Sequence, residues 1–263
     1  MALPSAPRHS LPSNVAIDVA HVTVAYRRYE RRPTSLKESI VRLFRERRFR
    51  YHTTFDAVHD ATFSVNKGGV HALIGTNGSG KSTLLKVIAG VLRPTKGKVT
   101  VLGKVASLIE LGAGFDPELT AEENIYLHGS LYKLSRRRIA ERVEHVLDFA
   151  ELREFASTPI KYFSSGMFAR LGFSVAIDID PDVLLVDEIL GVGDDRFQAK
   201  CKDVFDNFLK QGKTILLVSH DMGTIRGMST SATVLSRGRM LYTGEPEKAI
   251  EIYHSPDYQS ALQ

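Results

Sequence analysis

Residues 70–82 read VHALIGTNGSGKS. A short apolar run, the length of one buried parallel strand, enters a glycine-rich turn, and KSTLLKVIAGVL then follows with helical period. Gly75 to Ser82 fit the P-loop pattern G-x-x-x-x-G-K-[ST]. They do so between a predicted strand and a predicted helix, the context that gives the pattern meaning. In such a loop the glycines let backbone N–H groups close around phosphates, which assigns Gly75, Thr76, Asn77, Gly78, Ser79, Gly80, Lys81, Ser82 and Thr83 to nucleotide binding. Lys81 is placed to reach the β- and γ-phosphates and the Ser82 hydroxyl to ligate Mg²⁺. The helix is expected to stop at Arg93-Pro94.

Two further apolar runs end in polar residues. VLLVDE delivers Asp187 and Glu188 to the C-terminal edge of a buried strand, where doubly wound sheets bind ligands. Asp187 is placed to hold Mg²⁺, directly or through water, and Glu188 to polarise an attacking water. KTILLVSHD carries His220 to the end of the next strand, where it suits sensing or stabilising a γ-phosphate.

Strands alternating with helices imply an α/β fold with a parallel-sheet core. NVAIDVAHVTVAY and FDAVHDATFSVNKGG alternate apolar and polar residues and supply an N-terminal antiparallel β part. GKVTVLGKVASLIEL reads as two more strands, and SATVLSRGRMLYTGE as a hairpin turning at Arg237-Gly238. TAEENIYLHGSLYKL, SRRRIAERVEHVLDFAEL and GMFARLGFSVAIDI have helical period and form an inserted α-helical subdomain. DDRFQAKCKDVFDNFLKQG is an amphipathic helix closing at Gly212, and EPEKAIEIYH a short last helix. The expected organisation is a loose segment over 1–14, a nucleotide-binding core over 15–115 and 181–245, a helical subdomain over 116–180, and a C-terminal helix and tail over 246–263.

The 263 residues are 43% hydrophobic and 25% charged, enough for a sizeable core. No apolar run approaches the ~20 residues that span a bilayer. MALPSAPRHSLPSN lacks the apolar stretch of a secretory signal, and Cys201 is the single cysteine, which excludes an intramolecular disulfide or a cysteine zinc cluster. The chain reads as cytosolic. Its net charge of +5 permits contact with nucleic acid or anionic lipid. Arginines and lysines crowd a basic insertion over 27–54, in which Leu36, Ile40, Leu43 and Phe44 fall at helical spacing.

With these motifs in hand, the chain resembles the ATP-binding cassette of ABC transporters from about residue 15 to about residue 250. GTNGSGKST is similar to its Walker A, VLLVDE to its Walker B, and His220 to its switch histidine. FSSGM, with Ser164, Ser165, Gly166 and Met167, resembles its signature motif, and LGVGD, ending in Asp194, its D-loop after Walker B. Tyr26 falls where the family stacks an aromatic ring on adenine, with Tyr29 the alternative. The resemblance implies ATP and Mg²⁺ as bound groups. It also implies head-to-tail pairing with a second copy, so that the signature residues of one chain face the γ-phosphate held by the other. SSGM is equally an ordinary helix N-cap.

Two departures from the family pattern stand out. Ser165 replaces a glycine and Met167 a glutamine of the usual signature. Glu110 falls nearest the position of a glutamine beside Mg²⁺. ELGAGF, the Tyr-x-Ser-x-Gly-Met signature and DEILGVGD are similar to those of exporters of bacterial surface polysaccharides, such as lipid-linked O-antigen, capsule or teichoic acid. The implied partners are two copies of a transmembrane permease and a lipid-linked polysaccharide as cargo, with no nucleic acid. The implied location is the cytoplasmic face of the inner membrane. The chain ends soon after its hairpin, which leaves no expected room for an added glycan-binding β-sandwich. The basic insertion is expected beside the permease at the lipid headgroups, or near a pyrophosphate-linked substrate. The alternative is a soluble cassette ATPase acting on ribosomes or nucleic acid.

Overall fold

The computed structural model of the chain describes residues 12–29, 52–109, 111–187, 193–219 and 221–260. Strand β1 (Val15–Tyr29) pairs antiparallel with β2 (His52–Asn66). The apolar face of this pair is carried by Ile17, Val19, Val22 and Val24 against Val58, Ala61, Phe63 and Val65, all buried. The ladder runs out to Tyr29 opposite His52. Arg27, Arg28, Thr53 and Thr54 therefore belong to strands, inside the expected ends of the basic insertion. The rest of that insertion, with its expected helix, lies outside the described residues.

The P-loop strand β3 (Val70–Ile74) is buried along its whole length. Helix α1 (Lys81–Ile88) follows, and ends earlier than Arg93-Pro94. Gly90 takes φ +76°, and the N–H groups of Val91 and Leu92 return to the Lys86 carbonyl, which closes the last turn. Strands β4 (Lys96–Val101) and β5 (Val105–Ser107) part company: β4 joins β1 at one edge and β5 lies at the other.

Helices α2 (Ala121–Leu131), α3 (Arg136–Ala150) and α4 (Ser165–Asp178) form the inserted helical part between β5 and β6 (Val183–Asp187). Thr120 and Glu123 make a reciprocal capping box at the start of α2, and Ser135 caps α3. Helix α5 (Asp195–Lys210), strand β7 (Thr214–Val218) and helix α6 (Met222–Met228) come next. The hairpin β8 (Ser231–Ser236) and β9 (Arg239–Gly244) turns at Arg237 (φ +46°) and Gly238 (φ +77°), as the sequence predicts. Helices α7 (Pro246–His254) and α8 (Pro256–Ser260) end the described chain.

The nine strands lie in the order β4-β1-β2-β9-β8-β3-β7-β6-β5. From β8 through β3, β7 and β6 to β5 every neighbour is parallel; β4, β1 and β2 are antiparallel, and β9 is antiparallel to β8. The α/β class, with its antiparallel N-terminal part and helical insertion, is the one expected. Helix α1 buries Leu84 and Leu85 under the antiparallel part, each contributing about 1.5–3 kcal/mol. On another face Phe173 of α4 packs with Phe197 and Phe205 of α5. Cys201 is buried in that cluster, and burial pushes its thiol up to about 12, which keeps it neutral.

One buried residue sets an acid limit. His71 of β3 is fully buried; its Nδ1 lies 2.7 Å from Ser231 Oγ and its Nε2 2.9 Å from Thr233 Oγ1. Burial lowers its pKa to about 4. The unfolded chain protonates this imidazole near pH 6.5 and the folded chain near 4, so the unfolded state binds more protons between these values. Stability is therefore lost as pH falls from 6.5 towards 4. At pH 5.0 the loss from His71 should be about 2 kcal/mol. Urea unfolding at pH 7.5 and 5.0 should show that extra loss in the wild type and not in His71→Gln. An equal pH dependence in both proteins would remove His71 as its source.

Candidate functional site

The C-terminal ends of β3, β7 and β6 are adjacent, with Leu73 paired to Val218 and Val218 to Asp187. The loop from Gly75 to Gly80 leaves β3 and opens α1. Gly78 (φ +78°) and Gly80 (φ +106°) hold backbone conformations that L side chains rarely adopt. A Cβ on Gly75 would overlap the Leu235 carbonyl oxygen, and one on Gly80 would lie 2.5 Å from the Ala57 carbonyl oxygen. The Gly238 N–H donates to Ser79 O at 2.9 Å, so the β8–β9 turn braces the loop from one side.

Helices α2 to α6 each have a side-chain cap, from Thr120, Ser135, Ser164, Asp194 and Asp221 respectively. Helix α1 has none at its Gly80 N-cap. Its first-turn N–H groups and positive dipole end face the cleft, which suits a phosphate. Ser79 Oγ is buried without a hydrogen-bond partner at the same place. Lys81 is buried, and its Nζ donates to Gly75 O at 2.7 Å and Thr76 O at 3.0 Å. Burial lowers the Lys81 pKa, and the negative charge of Asp187 opposes that shift.

The cleft has a volume of about 480 Å³. Asn77, Gly78, Gly80, Lys81, Ser82 and Thr83 line one wall, and Tyr26 and Phe55 the other, with Arg237 and Gly238 at its margin. Tyr26 and Phe55 are cross-strand partners with ring centroids 5.9 Å apart, exposed enough to receive a flat base. Tyr29 is in β1, but its side chain is outside the description.

The Ser82 hydroxyl, exposed in the first turn of α1, and the Asp187 carboxylate at the end of β6 supply two oxygen donors. That set fits Mg²⁺, which takes one or two protein oxygens and leaves the rest of its shell to phosphate and water. Glu110, Glu188 and His220 lie outside the described residues.

Ser164 caps α4, its Oγ accepting the Met167 N–H at 3.2 Å. Ser164 and Ser165 are exposed, and a Cβ on Gly166 would meet only Ser164 Oγ at 3.9 Å. The Met167 side chain packs on the helical cluster. None of these four residues lines the cleft of its own chain. Asp194 caps α5, with Phe197 N–H donating to Asp194 Oδ1 at 2.9 Å.

Residues 58–191, containing the P-loop and β6, match the family described as ABC transporter. The chain belongs to the ABC transporter family. This ABC transporter chain is 44% identical over 237 residues to the O-antigen export system ATP-binding protein RfbB of Klebsiella pneumoniae, covering 90% of this chain and 96% of that one. It is 38% identical over 249 residues to the teichoic acids export ATP-binding protein TagH of Staphylococcus saprophyticus, covering 95% and 90%. Its fold matches a solved ATP-binding subunit of an ABC transporter with TM-score 0.72 at 23% identity, over 94% of this chain and 100% of that one. It also matches a dimeric ATP-binding cassette in a post-hydrolysis state with ADP and Pi, with TM-score 0.67 at 21% identity, over 88% and 98%.

Phe55 and Arg237, which line this cleft, are not among the residues that the sequence points to. Phe55 becomes visible only through its register opposite Tyr26. Arg237 is legible as a turn residue, but its place at the cleft depends on how the hairpin lies beside the P-loop.

The two kinds of helix start make a direct comparison. Gly80→Ala should cost about 2 kcal/mol or more, because the added Cβ meets both the Ala57 carbonyl and an unfavourable φ. Gly166→Ala, on an open helical turn, should leave the melting temperature unchanged or slightly higher. Equal melting temperatures for Gly80→Ala and wild type would contradict the strained cradle.

Proposed function

We propose that the chain is the ATPase subunit of an ABC exporter that moves a lipid-linked cell-surface polysaccharide across the cytoplasmic membrane. The observation that carries this reading is the 44% identity to an O-antigen export ATP-binding protein, spread over nearly all of both chains. The uncapped helix start at Lys81, the cleft and the Tyr26–Phe55 wall support ATP as its substrate.

In this reading the first-turn amides of α1 hold the phosphates, Lys81 leaves its loop carbonyls for the β- and γ-phosphates, and Tyr26 stacks on adenine. Ser82 and Asp187 hold Mg²⁺, with Glu110 a third candidate. The ion, when bound, offsets the charge that develops on the phosphate oxygens. Glu188 accepts the proton of the attacking water and His220 faces the γ-phosphate. Ser164, Ser165 and Gly166 of a second copy close over the nucleotide, Met167 anchors that helix start, and Asp194 fixes the start of α5 at the same interface. ATP favours the closed pair and its products the open one, and that difference in affinity drives two permease subunits. Among the described residues no helix is long and apolar enough to cross a membrane. A peripheral place on the cytoplasmic face, reached through the permease, suits such a chain.

The test is purification from native membranes in mild detergent, with deletion of the gene in parallel. A co-purifying multi-pass permease, and loss of surface glycan on deletion, is the expected result. Ribosomal or DNA-bound partners with an unchanged surface would move the chain to the soluble ATPase class.

A further inference from the structure

Helix α8 lies beyond every motif of the nucleotide site, yet its buried Tyr258 reaches the P-loop. Tyr258 is only 1% exposed. The Thr76 N–H donates to its hydroxyl at 3.0 Å, and that hydroxyl donates to the Leu235 carbonyl at 3.0 Å. A buried phenol needs partners for its polar tip, and this one has both.

The Thr76 N–H and the Gly75 carbonyl are the two ends of one planar peptide unit. That carbonyl accepts the Lys81 ammonium at 2.7 Å. One peptide plane is thus held by Tyr258 on its N–H side and by Lys81 on its C=O side. The next carbonyl, of Thr76, accepts Lys81 at 3.0 Å and the Ser79 N–H at 3.1 Å. The Leu235 carbonyl that Tyr258 holds is also the wall against which Gly75 packs.

Local sequence puts the ring there. Ser255 ends α7; its Oγ donates to Ile252 O at 2.7 Å and accepts the Tyr258 N–H at 3.2 Å, and Pro256 opens α8. The ring sits with Ala72 and Ile74 of β3, Val234 of β8 and Ile250 of α7. Arg226 of α6 pairs with Glu247 of α7 at 2.8 Å, so the same C-terminal unit also grips the helix that follows β7.

We infer that Tyr258 is a positioning residue of the nucleotide site: its hydroxyl sets the plane of the Gly75–Thr76 peptide, and with it the path of the P-loop backbone that receives the phosphates, so that nucleotide affinity depends on docking of the C-terminal helix. The inference rests on the ATP reading of the P-loop given above. Losing one neutral hydrogen bond at this peptide should weaken nucleotide binding about five- to tenfold.

The test compares the full chain with Tyr258→Phe, using a fluorescent ATP analogue with Mg²⁺ and thermal unfolding without nucleotide. The expected result is a Kd raised about five- to tenfold with turnover at saturating ATP little changed. Tyr253→Phe, which alters the neighbouring ring 5.0 Å away, should bind like wild type. A Tyr258→Phe chain that melts lower but binds normally would reduce the residue to packing and overturn the inference. Amide exchange on the nucleotide-free wild type needs no variant to fold: Thr76 should be protected, and exchange at an open-loop rate overturns the tie. A wild-type chain that binds no nucleotide would instead remove the ATP reading, and the inference with it, even if Thr76 proved protected.

Discussion

Lys81→Met is expected to lower ATP turnover by about two to three orders of magnitude, the usual cost of deleting a charge aimed at a transition state. Methionine keeps the unbranched stem in its buried place and removes only the ammonium. In the nucleotide-free chain that ammonium rests on the Gly75 and Thr76 carbonyls, so deleting it leaves both without this donor. The same change relieves the burial of a charge, which works in the opposite direction. These effects oppose one another, and the melting temperature should move by only a few degrees. Phosphate release at saturating ATP and Mg²⁺ measures the chemistry, and thermal unfolding without nucleotide measures the fold. Turnover within about threefold of wild type would take Lys81 out of the reaction. The contrast with Tyr258→Phe is informative: a positioning residue is expected to act on affinity alone, whereas loss of the ammonium should lower the rate as well.

The parts of the site that were legible in the sequence are those built from neighbours along the chain. The P-loop announces itself because strand, glycines, lysine and helix are consecutive. Strands β3, β6 and β7 are buried over nearly their whole length, so they appear as short unbroken apolar runs. The turn at Arg237-Gly238 is readable because left-handed backbone falls to few residues. What could not be read depends on pairing across the fold. Tyr26 and Phe55 face one another through an antiparallel register, and Tyr258 meets Thr76 across 182 positions. Helix α6 is seven residues long, too short for a period, and only the Asp221 cap marks its start. Helix α1 stops ahead of Arg93-Pro94 because Gly90 turns left-handed first. Asp194 shows how one residue can carry two readings: it was expected as a D-loop acid and is found capping α5, and a single side chain can serve both.

Glu188→Gln is expected to stop turnover while ATP stays bound. In sequence Glu188 follows Asp187, the last residue of β6; β7 lies beside β6 and leads into the segment of His220, and β3, on the far side of β7, leads into the P-loop. Glutamine keeps the size and hydrogen-bonding reach of glutamate but cannot take a proton from water. General bases contribute about 10²–10⁴-fold, so turnover should fall by that range. Binding should persist, because Lys81 and the first turn of α1 are untouched. If closure of two chains is driven by ATP and reversed only by its products, blocking hydrolysis removes the way back, and the closed pair accumulates. Light scattering with ATP and Mg²⁺ should then show a dimer for Glu188→Gln, and adding Lys81→Met to the same chain should return it to monomer. A variant that hydrolyses ATP normally would exclude Glu188 as the base. A variant that is inactive, binds ATP and stays monomeric would separate chemistry from pairing, and the signature residues Ser164 to Gly166 would then need a partner other than a second nucleotide-loaded copy.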